Sequence, residues 1–240
     1  MKIFQLILLA FLLGYSNSFA QLQSISFNAD YSSALSTRLQ ITEANAVGGG
    51  VKIKLLIADN LAVNVNGGYK LYSLSEPDVL NNWDWVFWTE RYYPKIVSDL
   101  NADQNLGVQI SATQKMDLIP VSVSISYDFL PIDKLEITPT IGGGFYIYTR
   151  RMFAVETWSK YYPDADYTLQ YSYRNFAPNK KGTPFFLNGN LNIQYKLYET
   201  LGFFTNVQYS YVIPTEGSLG YDDFPFDSEL SIALGLAIFY

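Results

Sequence analysis

Apolar and polar residues alternate with a period of two along most of this chain. The alternation is clearest at the chain's end, where every second residue is apolar: Ile232, Leu234, Leu236, Ile238 and Tyr240. Side chains of a β-strand point alternately to opposite faces, so this period predicts a strand with one apolar face. The same period predicts an all-β protein with eight strands, near 24–36, 45–57, 61–74, 118–130, 135–149, 184–198, 201–213 and 228–240.

Short and long connections alternate between the predicted strands. The short turns lie near 58–60, 131–134 and 199–200, and each has an acidic residue two positions before the leucine that opens the next strand. The long connections lie near 37–45, 75–117, 150–183 and 214–227. Short turns at one rim and long loops at the other are typical of an antiparallel up-and-down transmembrane β-barrel.

The two faces of the predicted strands differ in chemistry. One face carries residues such as Val51, Ile125 and Leu191, whereas the other carries small polar residues such as Ser124 and Asn192. A soluble, lipocalin-like barrel would bury the apolar face and expose the polar face. Strand surfaces exposed to water usually carry many Lys and Glu, but here the polar residues are mostly Ser, Asn, Thr, Gly and Gln, which can satisfy one another in a narrow lumen. We therefore predict that the apolar face points to lipid.

Residues 1–20 have the pattern of a cleaved signal peptide. Lys2 precedes an apolar core over 3–13, and Ser18-Phe19-Ala20 fits a small-x-small cleavage site. We predict a mature barrel domain over 21–240. The alternative is an uncleaved anchor helix, which the short apolar core disfavours.

Composition excludes several classes of function. The chain has no cysteine, which excludes disulfides, a lipid-modified N-terminal cysteine and thiolate metal sites. It has no histidine, the commonest general base and the commonest transition-metal ligand. Its net charge of −6 argues against binding to nucleic acid through the phosphates. We expect no cofactor and no metal site.

The chain resembles the small eight-stranded outer-membrane barrels of the OmpA/OmpX-like family over residues 21–240. The most specific part is the terminal strand, whose alternating residues from Ile232 to Ile238 and final Tyr240 look like the family's assembly signal. Family members usually end in Phe, whereas here Phe239 precedes a terminal Tyr. The resemblance implies export to the outer membrane of a Gram-negative-type bacterium, insertion among its lipids by barrel-assembly machinery, periplasmic short turns and extracellular long loops.

Charged residues occupy the polar face close to the short turns. The predicted lumen polar cluster is Lys52, Lys54, Asp128, Glu136 and Lys196. Bulky rings share this face, and an eight-stranded barrel is filled by its own side chains. The cluster is either an ion gate or a permanent plug of mutually neutralising charges. We favour the plug, because buried charges persist only when they are paired.

The long loops contain all four tryptophans. The candidate ligand-binding residues are Trp83, Trp85, Trp88, Tyr92, Tyr93, Trp158, Tyr161 and Tyr162. Exposed aromatic rings beside polar groups suit sugar rings or a protein partner. Alternatively these rings form an interfacial belt or pack the loops together, which we favour.

These observations favour a protein that is not an enzyme. Outer-membrane barrels include lipid A acyltransferases and deacylases, but the mechanisms that this resemblance implies rely on histidine. The acidic residues Asp222, Asp223 and Asp227 could at most hold a weak calcium ion. We predict a barrel with a filled lumen whose loops contact the environment or envelope proteins. The alternatives are a ligand-binding protein with aromatic loops and an accessory subunit of an export or assembly machine.

Overall fold

A computed structural model describes residues 21–240, so the predicted signal peptide lies outside the described residues. The strands are β1 (Gln21–Thr37), β2 (Glu43–Ala58), β3 (Leu61–Ser75), β4 (Leu106–Tyr127), β5 (Phe129–Ile132), β6 (Leu135–Tyr162), β7 (Tyr167–Phe176), β8 (Lys180–Gly182), β9 (Phe185–Tyr198), β10 (Leu201–Val212) and β11 (Phe226–Phe239). The helical segments are α1 (Val79–Asn82), a π-helix (Phe87–Tyr92), α2 (Tyr93–Ala102) and two 3₁₀ helices (Pro163–Ala165 and Tyr221–Asp223).

Eight of the strands close into a ring in the order β1–β2–β3–β4–β6–β9–β10–β11. Every neighbouring pair in the ring is antiparallel, including β1 with β11 and β4 with β6. β5, β7 and β8 are short additions that pair with β6. Closure leaves the ring without an open edge, as a β-sheet in a bilayer requires. The predicted eight-stranded up-and-down barrel is confirmed.

The outer face of the ring is apolar and the inner face is polar. Ile141 and Leu234 are 73% and 66% exposed on the outside, whereas Ser124 and Asn192 are buried on the inside. Large exposed hydrophobic residues of this kind surround the whole ring. A contiguous apolar belt of this extent would not be stable in water, so the ring spans a membrane with its polar face inward. The predicted orientation of the two faces is confirmed.

Two strands are much longer than the sequence analysis predicts. β4 begins at Leu106 instead of near 118, and β6 ends at Tyr162 instead of near 149. Both extend beyond the ring into segments predicted as loops. The prediction was wrong because it ended these strands where the lipid-facing apolar pattern ends, whereas backbone pairing continues from Leu106 opposite Lys160.

The prolonged strands form the base of a separate layer, which we name the extension. Its sheet consists of the early part of β4, the late part of β6, and β7, while α1, the π-helix and α2 cover one side of it. α2 contains 10 residues, and no helix in the described part of the chain is long and apolar enough to cross a membrane.

Candidate functional site

Three residues of the predicted lumen cluster form an ion group near the short-turn rim, named here the lower ion group. Lys54 Nζ lies 2.5 Å from Asp128 Oδ1 and 2.7 Å from Glu136 Oε1. The Oγ1 atom of Thr138 lies 3.1 and 3.0 Å from the same two carboxylates. All four side chains are buried. The group therefore joins β2 and β6 to Asp128, the residue that follows β4, across the lumen, which supports the plug interpretation over an open gate.

The other two lysines of the predicted cluster have different surroundings. Neither Lys52 nor Lys196 has a carboxylate within 4.0 Å among the described residues. Instead, Lys52 Nζ lies 5.1 Å from the ring centroid of Phe204, and Lys196 Nζ lies 4.8 Å from that of Phe239. Both distances suit cation–π attraction. The structure thus brings together three of the five predicted residues and places the remaining two over lumen-facing rings.

A second ion group, named here the upper ion group, lies farther towards the long-loop rim. Lys70 Nζ lies 3.0 Å from Glu229 Oε1 and 3.8 Å from Asp30 Oδ2. Tyr146 donates a hydrogen bond of 2.8 Å to Glu229, and Tyr72 donates another. Glu229 thus has a cation and two phenol donors, which satisfy a fully buried carboxylate.

The sequence analysis did not include Lys70, Glu229 or Asp30 in the lumen cluster. It selected charges close to the short turns, and these three residues lie farther along their strands. Strand alternation could have found Lys70, because Lys70 has the same parity as the lumen residues Asn64 and Tyr72.

A polar cavity of about 110 Å³ lies in the lumen and is lined by Lys52 on one side and Lys70 on the other. Amide and hydroxyl side chains form half of the remaining lining, including Asn64, Ser124 and Asn206. The Ser124 Oγ atom is buried without a hydrogen-bond partner among the described residues. A polar cavity of this volume has room for several water molecules. The lumen is therefore packed at both ends and contains a polar cavity between them.

Aromatic rings close the lumen above the upper ion group. Tyr146 stacks on Phe186 with ring centroids 4.1 Å apart, and Phe224 stacks on Tyr146 at 5.6 Å. Tyr148 and Phe226 meet Phe224 edge-on at 5.1 and 4.7 Å. Phe224 belongs to the connection between β10 and β11, residues 213–225, named here the plug loop. This connection is folded into the mouth of the barrel and leaves Phe224 fully buried.

Three cations fasten the plug loop to the barrel wall. Arg38 Nη1 donates a hydrogen bond of 2.8 Å to the Tyr221 carbonyl, and Arg150 Nη1 donates one of 3.2 Å to the Asp223 carbonyl. Lys180 Nζ lies 2.7 Å from Asp223 Oδ1. Burial and a hydrogen bond from its hydroxyl to Asp227 raise the pKa of Tyr221 to about 12. The loop is therefore tied down at several points along its length.

Asp222 and Asp223 of the plug loop and Asp227 at the start of β11 each have an ion-pair or hydrogen-bond partner. Asp223 pairs with Lys180, and Asp227 pairs with Arg38 at 3.4 Å. Asp222 accepts a hydrogen bond from the Gly217 amide. Within residues 21–240, no group of three or more acidic, histidine or cysteine side chains is placed to hold a metal ion.

The four tryptophans are buried in the extension, not exposed to solvent. Trp83, Trp85, Trp88 and Trp158 are only 3–6% exposed and pack with Ile96, Met152 and Ala154. Trp85 stacks on Trp88 with centroids 5.4 Å apart. Trp158 and Trp83 donate indole hydrogen bonds to Glu156 at 2.8 Å and to the Pro178 carbonyl at 2.9 Å. The tryptophans are therefore not exposed, contrary to what the ligand-binding alternative expected; they pack the loop segments together and form the core that attaches the helices to the sheet.

The tyrosines of the predicted ligand set have mixed surroundings. Tyr92 is partly buried and shares a hydrogen bond with Tyr173 of β7, whose pKa is raised by burial and by this contact. Tyr93, Tyr161 and Tyr162 are exposed. They lie on the surface of the extension, Tyr93 at the start of α2 and the other two at the end of β6.

The residues of the predicted assembly signal lie on β11 and, for Tyr240, directly after it. β11 closes the ring, with Ile238 opposite Ile25 of β1 and Leu201 of β10. Its alternating apolar residues all face outward and are exposed: Ile232, Leu234, Leu236, Ile238 and Tyr240.

Comparisons with known proteins concern the fold. No protein-family model matches the chain, and no curated protein matches it in sequence. Ail, the attachment invasion locus protein of Yersinia pestis, solved in complex with the heparin analogue sucrose octasulfate, is similar with a TM-score of 0.46 and 10% identity, covering 92% of this chain and 100% of that chain. Neisserial surface protein A has a TM-score of 0.46 and 11% identity, with 90% and 96% covered. OprG from Pseudomonas aeruginosa has a TM-score of 0.47 and 10% identity, with 93% and 98% covered.

Similarities at this level transfer no residue role to this chain. The assignment of architecture rests instead on the closed antiparallel pairing, the apolar exterior and the three short turns described above. By these features the chain has the architecture of the small eight-stranded outer-membrane β-barrels.

Proposed function

We propose that this protein is a non-enzymatic barrel of a bacterial outer membrane, with a lumen sealed by its own side chains and an extracellular extension that makes contacts outside the cell. The sealed lumen carries the proposal. From one rim to the other, the lumen holds the lower ion group, a polar cavity, the upper ion group and the aromatic rings under the plug loop. A transport pore would need a continuous hydrated path, and an eight-stranded barrel has little room for one.

Several features support the placement in the outer membrane. The apolar exterior suits lipid, and closed β-barrels of this size are typical of that membrane. The predicted signal peptide would deliver the chain across the inner membrane, and the terminal strand would be recognised by barrel-assembly machinery. In this orientation the short turns lie in the periplasm and the extension lies outside the cell.

The buried charges support a structural role for the lumen rather than catalysis. Each carboxylate of the two ion groups has a lysine or a phenol as a partner, and the aromatic rings close the lumen above them. Substrate would have no access to these groups from the long-loop side. The chain also lacks histidine, the residue that general acid–base catalysis uses most often.

Single-channel recording in planar bilayers tests the sealed lumen. We expect no large, stable conductance steps from the folded protein. A Tyr221→Ala/Phe224→Ala variant, which opens the plug loop, should also conduct poorly because both ion groups remain below it. Persistent steps of about one nanosiemens from the unaltered protein, the order of magnitude of an open pore, would contradict the proposal.

Truncation of the terminal strand tests the proposed route into the membrane. Deletion of Phe239 and Tyr240 should strongly reduce assembled barrel in cells, because this strand closes the ring against β1. Tyr240→Phe keeps a terminal aromatic ring and should assemble normally. Assembly is measured as the fraction of protein whose band shifts on boiling before gel electrophoresis, and equal fractions for the deletion and Tyr240→Phe would contradict this part of the proposal.

A further inference from the structure

We infer that β7 is a docking edge for β7 of a second copy of this chain in an apposed membrane, so that the extension joins two cells by antiparallel strand pairing. This inference deepens the contact role proposed above and rests on it. It follows from the free edge of β7, the distribution of charge along it and the orientation that the barrel imposes.

The first observation is an unprotected strand edge. Within residues 21–240, β7 pairs with β6 alone, through a continuous register from Phe153 opposite Phe176 to Tyr162 opposite Tyr167. Its other edge presents unpaired backbone groups to solvent. Soluble proteins usually protect such an edge with lysine, proline, bulges or a very short strand. The 10 residues of β7 contain no lysine and no proline, carry one charge at Arg174, and show no bulge against β6.

The second observation is an apolar face on the same strand. Tyr167, Leu169, Tyr171 and Tyr173 point to the side of the sheet that carries the helices, yet they are 36–57% exposed. The helices cover β4 and β6, and Tyr92 of the π-helix meets Tyr173 of β7. A second β7 beside this edge would place two such rows next to each other. Aromatic cross-strand pairs of this kind stabilise β-sheets.

The charges near β7 are complementary to those of a second copy in antiparallel pairing. Asp164 and Asp166 lie just before its N-terminal end, whereas Arg174 lies near its C-terminal end. Pairing centred on Tyr171 would place each Asp166 opposite Phe176 of the other copy, diagonal to its Arg174. Opposite charges at both ends attract, and no like charges face each other. Parallel pairing would instead place like charges together.

The barrel determines which second copy can pair in this way. Strands of outer-membrane barrels tilt by about 35–45° from the membrane normal, so two copies in one membrane would present their β7 strands at about 70–90° to each other. A copy in an apposed membrane is inverted, and its β7 can run antiparallel. At ~3.3 Å per residue, the shared edge would be about 33 Å long. The partner that fits this edge is therefore the same protein on a neighbouring cell.

Vesicle clustering with full-length mature protein tests the inference. The protein is reconstituted into two vesicle populations that carry donor and acceptor lipid dyes, and protease digestion confirms that the extension faces outward. We expect energy transfer between populations to be about tenfold above that of protein-free vesicles, as expected for many weak pairs acting together. Absence of clustering by protein that floats with the vesicles and keeps its heat-shifted band would overturn the inference while leaving the sealed barrel intact.

Reversing the charges at the two ends of β7 tests whether this edge causes the clustering. Arg174→Glu makes both ends of β7 acidic, and Asp164→Lys/Asp166→Asn makes both ends basic, with Asn chosen because residue 166 has a positive φ of 43°. Vesicles that carry either variant alone should cluster several-fold less than the unaltered protein. A mixture of the two variants restores opposite charges at both ends and should recover clustering. Misfolding could not produce this recovery.

A matched control uses the same change of side chain elsewhere on the extension. Arg91 is exposed on the π-helix and does not belong to the proposed edge, so Arg91→Glu should leave clustering unchanged. Equal losses for Arg91→Glu and Arg174→Glu, or no recovery in the mixture, would show that another surface or general charge drives clustering. Either result would overturn the assignment of β7, whereas pore formation or failure to insert would instead count against the proposed function.

Discussion

β4 passes through two regions of the molecule, the ring and the extension, and the chemistry of its two faces inverts between them. In the ring, β4 places Val123 and Ile125 outside and Ser124 inside. In the extension, the same strand places Gln109 and Ser111 outside, while Ile110 packs against the buried helical layer. Strand geometry is the same in both regions, but lipid surrounds the first and water the second. The environment therefore decides which face is apolar.

An ion pair on the outer face marks the boundary between the two regions. Arg151 of β6 pairs with Asp117 of β4, and Tyr69 donates a hydrogen bond of 2.5 Å to the same carboxylate. Ile119 and Ile147 lie on the outer face just below this pair, and Lys115 lies opposite Arg151. Charged groups and tyrosines prefer the interface of a membrane to its hydrocarbon core. We place the outer limit of the hydrocarbon at this pair.

The two regions also differ in what fills their interiors. The lumen is held by paired charges, whereas the extension is held by tryptophan packing. Loss of a buried charge partner leaves an uncompensated ion, whereas loss of a ring leaves a cavity. Substitutions in the two interiors should therefore affect different units of the structure.

The largest expected effect is on the upper ion group. Lys70→Met removes the cation beside Glu229 and Asp30 and should lower the free energy of unfolding of the barrel by about 3–5 kcal/mol. Urea unfolding in lipid vesicles measures this change. Lys95→Met is the matched control, because Lys95 forms an exposed pair with Asp99 that contributes about 0.5 kcal/mol or less. Similar losses for both variants would contradict a tightly paired lumen.

A loss of similar size, but confined to the extension, is expected from Trp88→Ala. Removal of this buried ring should destabilise packing of the helices on the sheet by about 3–5 kcal/mol. Limited proteolysis should then cut within residues 79–102 much faster, while the heat-shifted band of the barrel remains. Tyr93→Ala removes an exposed ring from the same segment and should change little. Loss of the heat-shifted band in Trp88→Ala would show that the two regions unfold together.

A smaller difference is expected between outward-facing positions of β4. Val123→Lys places a charge against lipid near the bilayer midplane and should cost about 2–4 kcal/mol. Ser111→Lys makes a corresponding change on the outer face of the extension and should stay within about 0.5 kcal/mol of the unaltered protein. Equal costs measured by unfolding in vesicles would mean that the proposed boundary is misplaced.

Strand alternation alone predicted the ring, its short turns and the direction of its side chains. Lys54 and Tyr146 point into the lumen as their parity indicates. Parity is a local property, so one strand is sufficient to determine it. The partner of a lumen residue is different, because it depends on closure and register. Lys70 and Glu229 are separated by 159 positions and meet only because the ring brings β3 and β11 to the same level.

The extension was the part that sequence reasoning missed. Leu106, Val108 and Ile110 alternate with polar residues as clearly as the strands of the ring do. The segment was nevertheless predicted as part of a long loop. Packing of the tryptophans was among the favoured alternatives, but the sequence could not identify the surface that covers them, because that surface comes from β6. The sequence pattern that could have indicated this layer is a switch of the apolar residues from one strand face to the other, directly before the lipid-facing part of the same strand.

Cysteine scanning along β4 tests the inversion most directly, because the chain contains no native cysteine. Single cysteines replace the outward-facing residues of β4 one at a time, and a membrane-impermeant maleimide is applied to intact cells. We expect labelling at positions 109, 111 and 113, and protection at positions 121, 123 and 125, with the change between 115 and 119. Uniform labelling, or protection that continues through 111, would contradict the account of one strand crossing from lipid into water.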